Sequence, residues 1–467
     1  MKVGGTVVLW SEGFARNLPL TLLVLVLVPP SLVSQEQRAR YLAYSEVEET
    51  VRLFAGSGLP GSDIADAAAW DKWIREQDQQ VRARIDRGLE DSVSNFILYG
   101  TSYTSRPRLS DSEAALGPSG AVSEEARLRI EALALAVQSS LRSERVRIVR
   151  EFLARKGIPE AETEQLLTKN LIRFVTDQRS YGQKLDKAGK SQDQMDVLFA
   201  RGTLYQNRGL SIDTSLLPNF ALEDTLRALA AKGVIGPGKI RRIAIIGPGL
   251  DFTDKRDGYD FYPLQTIQPF AVMEGVLRLG LGNSTDLSVT TLDLNPAVNS
   301  HVAKIAKDAA AGRPYTVQLP RDVDAGWSSA SVGYWQHFGD VIGKPGKALP
   351  VPASIRGVAL RAVAISSEYG ARIQPSDLNV VTQTLDFADG QGFDLVVATN
   401  VLVYYDSFQQ ALALTSIARM LNVGGVFICN SVLPSQHDSR LEFLGRRTVA
   451  YAATGSYGDD VVVYRWR

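Results

Sequence analysis

The spacing of apolar and polar residues changes near residue 233. In residues 35–232, apolar side chains recur three and four positions apart, as at Leu128 and Ala132, which is the spacing of one face of a helix. In residues 233–467, short apolar runs alternate with helical segments, a pattern typical of a parallel sheet with helices on both faces. The chain is therefore predicted to have a helical N-terminal region and an α/β C-terminal region.

Capping signals, glycines and prolines set the expected ends of the N-terminal helices. Ser45 and Glu48 form a capping-box pattern that predicts a helix as far as Gly56–Gly58. Residues 92–107 are rich in Ser, Thr and Tyr and predict a loop, and 110–120 predict a linker. Five more helices are predicted. The first contains Trp70 and Trp73 and continues to Glu90, and the second begins at Ser123. The others run from about Ser143 to Gly157, across Leu166–Val175 and across Leu222–Ala231.

Apolar runs in the C-terminal region predict the strands of one sheet. The expected core strands are Ile240–Ile246, Leu287–Leu292, Leu378–Leu385, Phe393–Thr399 and Val426–Asn430. Thr448–Ala453 and Val461–Trp466, joined across Gly455–Gly458, predict an antiparallel hairpin. The predicted fold class is α/β: a seven-stranded, mostly parallel sheet with helices on both faces and a terminal antiparallel hairpin, preceded by an all-α N-terminal region.

Composition excludes several classes of protein. Lys and Arg number 51, as do Asp and Glu, so charge gives no reason to expect a nucleic-acid partner. The single cysteine, Cys429, excludes an intrachain disulfide framework and falls in a predicted buried strand. The three histidines do not stand at metal-binding spacing, so no metal site is predicted.

The N-terminal residues 1–34 have the order of a secretory signal. Arg16 precedes an apolar run, Leu18–Val28, which is followed by Pro29–Pro30 and a small residue, Ser34. A signal peptide or membrane anchor is predicted, and any membrane contact would be made through this segment. The alternative is a mis-chosen start or a buried apolar segment in a cytoplasmic protein.

The first predicted strand ends in the turn Gly247-Pro248-Gly249. Without a Cβ, the two glycines can adopt backbone angles closed to other residues and let a ligand approach the main chain. A strand that stops at Gly-x-Gly commonly opens a nucleotide-binding sheet, with the ligand at the carboxyl end of the strand. Two further predicted strands end in carboxylates, Asp293 and Asp386.

These features together resemble the class I methyltransferases that use S-adenosylmethionine. The resemblance covers Ile240–Arg467 and includes the glycine turn, the two acidic strand ends, the run Phe393–Asp406 and the turn Asn422–Gly425. It implies S-adenosylmethionine as cofactor. The residues that it implies as cofactor-binding are Gly247, Pro248, Gly249, Asp251, Asp293, Leu294, Asp386, Phe387, Asn400 and Val401.

The resemblance also implies a role for each group. The glycine turn would pass close to the methionine part and the ribose. Asp293 would accept hydrogen bonds from the ribose hydroxyls, since an ionised carboxylate is an acceptor only. Asp386 would contact the adenine amino group, with Phe387 against the ring, and Asn400 and Val401 would open onto cofactor and substrate.

Several positions depart from the family pattern. Ile245 stands where an acid is usual, and Asp251 stands where a third glycine is usual and is predicted to substitute for that acid. Residues 251–269 are an insertion that would lie over the cofactor, or else a hydrated surface loop. A second insertion, 311–375, predicts an added strand pair. Its aromatic segment Gly333–Gly339 is either part of a substrate pocket or a cluster that pins the insertion.

Two functions from different classes remain open. The first is methyl transfer from S-adenosylmethionine to an unidentified acceptor, a reaction that depends mainly on positioning of the two reactants. Tyr404, Tyr405 and Asp406 lie near the expected site, and no catalytic residue is assigned. The second is a catalytically inactive, methyltransferase-like binding or scaffold protein exported from the cytoplasm. A nicotinamide-dependent oxidoreductase is disfavoured because its third glycine and following acid are missing.

Overall fold

The computed structural model describes residues 38–110, 112–117, 119–189, 205, 208–253, 259–430, 433, 440–454 and 457–467. Arg38–Arg467 forms one compact unit. The predicted signal or anchor, residues 1–34, lies outside the described residues. In the part of the chain that is described, no helix combines the length and the apolar content needed to cross a bilayer.

Helices dominate the first half and separate the strands of the second. Their bounds are α1 Tyr44–Phe54, α2 Ala67–Tyr99, α3 Glu124–Gln138, α4 Glu144–Arg155, α5 Thr163–Gly189, α6 Leu217–Ala231, α7 Gln268–Arg278, α8 Pro296–Ala310, α9 Ser329–His337, α10 Ser367–Gly370 and α11 Ser407–Met420. The strands are β1 Ala39–Tyr41, β2 Arg242–Ile246, β3 Ser288–Asp293, β4 Tyr315–Asp322, β5 Gly343–Pro345, β6 Val358–Ile365, β7 Ile373–Asp377, β8 Gln383–Leu385, β9 Phe393–Ala398, β10 Leu421–Cys429, β11 Leu441–Ala450 and β12 Gly458–Trp466.

Seven strands form the main sheet in the order β11-β12-β10-β9-β2-β3-β7. Neighbours from β10 to β7 are parallel, and β12 runs antiparallel to both β10 and β11. The carboxyl ends of the five parallel strands therefore meet along one edge. The predicted fold class is confirmed, including the terminal hairpin and the helical region that precedes the sheet.

Alternate residues of β2 and β9 point into different cores. Ile243 and Ile245 belong to a core that contains α6, α7 and parts of the second insertion. Ala244 and Ile246 face the opposite side, where α11 packs together with side chains of α1 and of the first half of α2, such as Trp70. The helical region is thus packed directly on the sheet. The buried thiol of Cys429 lies in this second core, as predicted.

The prediction that Leu378–Leu385 is a core strand of the main sheet is wrong. The strand beside β3 is β7, which ends at Asp377. Residues 378–382 form a loop whose apolar side chains are buried, and β8 pairs outside the main sheet with β1, which the sequence did not predict. Because β7 is an edge strand, it tolerates Pro375, which cannot donate a ladder hydrogen bond.

Two predictions in the helical region also need correction. Residues 92–99 continue α2 and do not form a loop, because their Ser and Asn side chains find hydrogen-bond partners within the fold. Helix α1 begins earlier than predicted: Ala43 is its N-cap, and the side chain of Glu46 accepts a hydrogen bond from the Ala43 amide at 2.8 Å. The predicted end of α4 at Gly157 is confirmed.

The two insertions are ordered parts of the fold. Residues 251–253 and 259–269 are mostly buried, so a hydrated surface loop is excluded there, while 254–258 lie outside the described residues. The second insertion contains the predicted strand pair, β4 and β6. These strands form a separate antiparallel sheet with β5, in the order β4-β6-β5, and do not extend the main sheet.

Candidate functional site

Two adjoining cavities open at the carboxyl edge of the main sheet. The first, named here the Asp293 cavity, has a volume of about 60 Å³ and is lined by Ile85, Leu210, Ile246, Gly247, Leu292, Asp293, Leu294, Asn295, Leu378, Val380, Val401, Tyr404 and Tyr405. The second, named the Asn400 cavity, has a volume of about 370 Å³ and is lined by Asp213, Thr214, Ser215, Pro218, Gly247, Thr253, Thr399, Asn400, Val401, Tyr404 and Tyr457. Gly247, Val401 and Tyr404 line both, so the two are parts of one cleft.

Asp293 is the carboxylate of the first cavity. It is the last residue of β3, and its Oδ1 accepts a hydrogen bond from the Asn295 amide at 2.7 Å. Burial among apolar side chains raises its pKa to about 7, and the neighbouring negative charge of Asp377 adds to this rise. Hydrogen bonds from the amides of Asn295, Gly249 and Leu294 act in the opposite direction and lower the pKa. An acid that titrates near neutrality in an apolar cavity is suited to bind a ligand that donates hydrogen bonds.

The glycine turn lies beside this carboxylate. Gly247 and Gly249 both have a φ of 65°, a left-handed conformation that strains other residues. The amide of Gly249 is one of the donors to Asp293, so the turn and the acidic end of β3 are linked directly. The structure therefore brings together six of the predicted residues: Gly247, Gly249, Asp293, Leu294, Asn400 and Val401.

The outer wall of the Asp293 cavity comes from the helical region, which the sequence did not predict. Ile85 of α2 and Leu210 face the apolar side chains of Leu378 and Val380. Leu210 is held in place because its amide donates to the Arg84 carbonyl at 3.1 Å. Nothing in the sequence marks either residue as part of a site, since an aliphatic residue in a helix or a connecting segment is normally expected to belong to the hydrophobic core.

The segment that follows Leu210 runs along the glycine turn. The Leu250 amide donates to the Ile212 carbonyl at 2.7 Å, and the Thr214 amide donates to the Leu250 carbonyl at 3.2 Å. Asp213, between them, forms an isolated parallel bridge with Leu250. This pairing places Asp213 in the wall of the Asn400 cavity.

Asn400 marks the end of β9 with an unusual backbone. Its φ of 57° makes it the one non-glycine residue of the described chain with a positive φ. Its amide donates to the Asn430 side chain at 2.8 Å, and the two side chains are also hydrogen-bonded. A left-handed Asn costs free energy that the surroundings must offset, and such strain is concentrated at functional sites.

The polar residues after Asn400 are not poised as bases. Burial raises the pKa of Tyr404 and of Tyr405 to about 12, so both are neutral phenols at pH 7. Asp406 caps α11 by accepting from the Gln409 amide at 2.8 Å, and burial raises its pKa. Among the described residues that line the cleft there is no histidine.

Three predicted cofactor residues, Asp251, Asp386 and Phe387, lie away from the cleft lining, and Pro248 of the glycine turn is buried without lining the cleft. Asp386 is on an exposed side, where its carboxylate accepts two hydrogen bonds from Arg40, at 2.5 and 2.7 Å. Its predicted position at the end of a sheet strand is wrong, because β8 is outside the main sheet. Phe387 packs against Phe393, with ring centroids 5.0 Å apart. Asp251 accepts from the Tyr262 hydroxyl at 2.8 Å and lines a small cavity that shares Ser215 and Tyr457 with the Asn400 cavity.

Asp377 takes the position that the sequence assigned to Asp386. It ends β7 and is opposite Asp293 in the parallel register. Its side chain is 57% exposed and forms an ion pair with Arg82 of α2 at 2.8 Å. Two carboxylates thus stand at neighbouring strand ends, as expected, but the second one is a different residue.

The structure also decides between the two alternatives predicted for Gly333–Gly339, a substrate pocket or an aromatic cluster that packs the second insertion. Tyr334 and Phe338 are almost fully buried in the core beside α6 and α7. The Trp335 indole donates to the Leu319 carbonyl at 2.9 Å. The segment packs the second insertion onto the fold, and it does not line the cleft. Within the described chain, no group of three His, Cys, Asp or Glu side chains could hold a metal ion.

No protein-family model matches the chain, and no curated protein matches it. Solved structures to which it is similar include the N-methyltransferase NodS from Bradyrhizobium japonicum WM9, with 12% identity, 53% of this chain and 94% of that chain covered, and a TM-score of 0.26. Another is magnesium protoporphyrin IX methyltransferase (ChlM) from Synechocystis PCC 6803, solved with bound SAM. The identity is 10%, the match covers 70% of this chain and 100% of that chain, and the TM-score is 0.26. A third is a TehB-like SAM-dependent methyltransferase from Corynebacterium glutamicum ATCC 13032 Kitasato. The identity is 13%, the match covers 54% of this chain and 98% of that chain, and the TM-score is 0.23. At these identities and TM-scores the likeness carries no conclusion about function, and the fold class rests on the strand order itself.

Proposed function

We propose that the protein binds S-adenosylmethionine in the cleft at the carboxyl edge of its sheet and transfers the methyl group to an acceptor. When bound, this cofactor supplies an electrophilic methyl group on a sulfonium. The observation that carries the proposal is the position of Asp293: a carboxylate with a pKa of about 7, beside a Gly-x-Gly turn, in an apolar cavity at a strand end. Ligands of open α/β sheets bind at this edge.

The residues of the Asp293 cavity fit an adenosyl group chemically. The carboxylate can accept from both hydroxyls of a ribose, and Leu294, Leu378 and Val380 offer apolar surface to a flat ring. The cavity volume of about 60 Å³ is below the roughly 300 Å³ or more of usual ligand pockets, so we propose that the side chains of Ile85 and Leu210 move outward on binding. Both belong to the helical region, which therefore covers the proposed cofactor.

The chain's own groups would position reactants and exclude water. Tyr404 and Tyr405 keep their protons at pH 7 and are not suited to act as bases, and the proposal assigns the Asp293 carboxylate of the lining to the ribose. We infer that the acceptor is already nucleophilic when it binds, such as a neutral amine or a thiolate. Rate acceleration would then come from orientation of the two reactants in a closed site.

Calorimetric titration with S-adenosylmethionine tests the proposal. The wild type is expected to bind, and Asp293→Asn is expected to bind about tenfold to hundredfold more weakly, because hydrogen bonds to a charged group are lost. Asp389→Asn is the matched control: it removes an exposed carboxylate from the turn before β9, away from the cleft lining. Wild-type protein that binds no adenosyl ligand, or an Asp293→Asn variant with unchanged affinity, would overturn the proposal.

The second candidate is a non-catalytic binding or scaffold protein. One observation favours it: the chain's own segment at Ile212 covers the glycine turn through the 2.7 Å hydrogen bond from Leu250. A cofactor would have to bind with this contact in place or displace it. The same titration separates the candidates, since a scaffold that has lost the site would bind neither S-adenosylmethionine nor its demethylated product.

A further inference from the structure

We propose that Asp213, supplied by the helical region, is the residue that binds the ammonium group of the methionine part of the cofactor. This inference rests on the proposed function. The amino-acid part of S-adenosylmethionine carries one ammonium and one carboxylate at neutral pH. A cavity that receives it needs an acceptor with negative charge for the first and hydrogen-bond donors for the second.

The charge of the cavity wall points to Asp213. Among the described residues that line the Asn400 cavity, Asp213 is the one with a carboxylate, and none of them is Lys, Arg or His. The other polar groups in the wall are hydroxyls and amides, including Thr214, Ser215, Thr399 and Asn400. An ammonium is therefore complementary to this cavity, and its volume of about 370 Å³ leaves room for the amino-acid part of the ligand.

The carboxylate of Asp213 is held in a fixed orientation. Its Oδ2 accepts from the Ser92 hydroxyl at 3.2 Å, the Asn95 amide at 3.1 Å and the Ser211 hydroxyl at 3.1 Å. Ser92 and Asn95 belong to the last turns of α2, so the helix itself sets the direction of the carboxylate. These donors fix the direction in which the carboxylate faces a ligand.

The position of Asp213 relative to the sheet is also fixed. Its parallel bridge with Leu250 holds it next to the residue that follows Gly249. Gly247 lines both cavities, so a ligand with its ribose at Asp293 would cross the glycine turn and reach Asp213 with its amino-acid end. Ile245, where an acid is usual in the resembling family, is fully buried in β2, and Asp251 is engaged with Tyr262.

A second, independent feature of the same wall supports a ligand there. Thr253 is 1% exposed, and its hydroxyl has no hydrogen-bond partner among the described residues. A buried hydroxyl without a partner costs free energy unless a ligand or water completes it. Thr253 lines the Asn400 cavity, so its hydroxyl can donate to the carboxylate of the methionine part.

The test compares two ligands that share the adenosyl thioether. S-adenosylhomocysteine carries the amino-acid group, and 5′-methylthioadenosine lacks it. We expect Asp213→Asn to weaken binding of S-adenosylhomocysteine about tenfold to hundredfold and to leave binding of 5′-methylthioadenosine unchanged. Asn keeps a carbonyl oxygen for Ser92 and Asn95, so the fold of α2 is retained. Asp389→Asn, with an exposed carboxylate removed, controls for loss of charge.

A second variant keeps the test decisive if Asp213→Asn lowers the melting temperature. Thr253→Val removes an unpartnered hydroxyl at constant shape, and it is expected to weaken S-adenosylhomocysteine selectively. Equal weakening of both ligands in both variants would show a structural role and overturn the inference, as would unchanged affinity for S-adenosylhomocysteine. Selective weakening by Asp251→Asn alone would assign the role to Asp251. Wild type that binds neither ligand contradicts the proposed function, whereas binding of both with no effect at Asp213 contradicts this inference only.

Discussion

Gly247 lies directly against Val401: a Cβ added at position 247 would stand 2.5 Å from the Val401 Cγ2 atom. The glycine therefore serves two purposes, since its φ of 65° also excludes most side chains. Through this contact the end of β2 and the segment after β9 approach each other at the point where the two cavities join.

Replacement of Gly247 by Ala is expected to lower the free energy of unfolding by about 1–3 kcal/mol, from backbone strain and overpacking together. Adding Val401→Ala should restore the part of the unfolding free energy lost through overpacking, and the part lost through backbone strain should remain. Gly280→Ala is the matched control, because Gly280 has a φ of 66° with no atom near the added Cβ. Urea unfolding measures the three variants and the wild type, and equal losses at positions 247 and 280 would contradict the steric contact.

The raised pKa of Asp293 predicts a pH dependence of ligand binding. The carboxyl titrates near pH 7 in the folded protein, and the ionised form accepts hydrogen bonds from ribose hydroxyls. Affinity for 5′-methylthioadenosine should therefore rise with pH through about 7. In Asp293→Asn this rise should be absent. A wild-type affinity that is flat between pH 6 and about 8 would contradict the assignment.

The same group predicts a change of stability with pH. The pKa is raised from 3.8 to about 7, so the folded protein retains a proton that the unfolded chain has released. The contribution of Asp293 to stability is therefore fully present below pH 3.8 and is lost progressively as the pH rises from there to about 7. Urea unfolding of wild type and Asp293→Asn from about pH 4 to about pH 8 measures the difference, which should shift in favour of the variant up to about pH 7 and level off above it.

A buried cation of the helical region, Arg145, binds the main chain of the first insertion. Arg145 of α4 is 2% exposed and donates to the main-chain carbonyls of Asp251, at 2.6 Å, Phe252 and Tyr262. Arg145→Met keeps the apolar stem but leaves three carbonyls without donors, so a loss of about 3 kcal/mol or more is expected. Arg147→Met, on the exposed face of the same helix, should cost under about 0.5 kcal/mol by the same unfolding measurement.

Much of the fold was predictable because alternation and apolar runs report burial directly. Strands β2, β3, β9, β10 and the hairpin are in this group. The sequence could not show which of two segments, β7 or residues 378–385, forms the strand beside β3. The β-branched residues in 378–385 favour a strand there, whereas Pro375 in β7 disfavours a strand at that position. The sheet resolves the conflict by placing Pro375 at its edge, where a missing amide donor is tolerated.

The site was predictable where it lies on the sheet. Asp293 ends a strand and Gly247 and Asn400 come just after one, and their position at one edge follows from parallel topology. The part of the site contributed by the helical region could not be predicted, because it depends on hydrogen bonds between residues that are far apart in the sequence. Ser92 and Asn95 suggest a loop in the sequence, and their partner in the folded protein is Asp213, more than a hundred residues away.

The outer wall of the Asp293 cavity yields a prediction of its own. Leu210→Ala removes part of the wall and should strengthen binding of 5′-methylthioadenosine, because less protein must move to admit the nucleoside. It should also lower stability, by about 1–3 kcal/mol for a partly buried leucine. Leu135→Ala, which removes a 66% exposed leucine from α3, should change neither quantity. A weaker ligand affinity in Leu210→Ala would show that Leu210 is needed as a contact.

The crystal structure of the protein with S-adenosylhomocysteine tests the central claim most directly. The account predicts the adenine between the apolar side chains of Leu294 and Leu378, with both ribose hydroxyls within hydrogen-bonding distance of the Asp293 carboxylate. It is contradicted if crystals grown with saturating ligand show it elsewhere, or show the cleft closed by Ile85 and Leu210 with Asp293 in contact only with the protein.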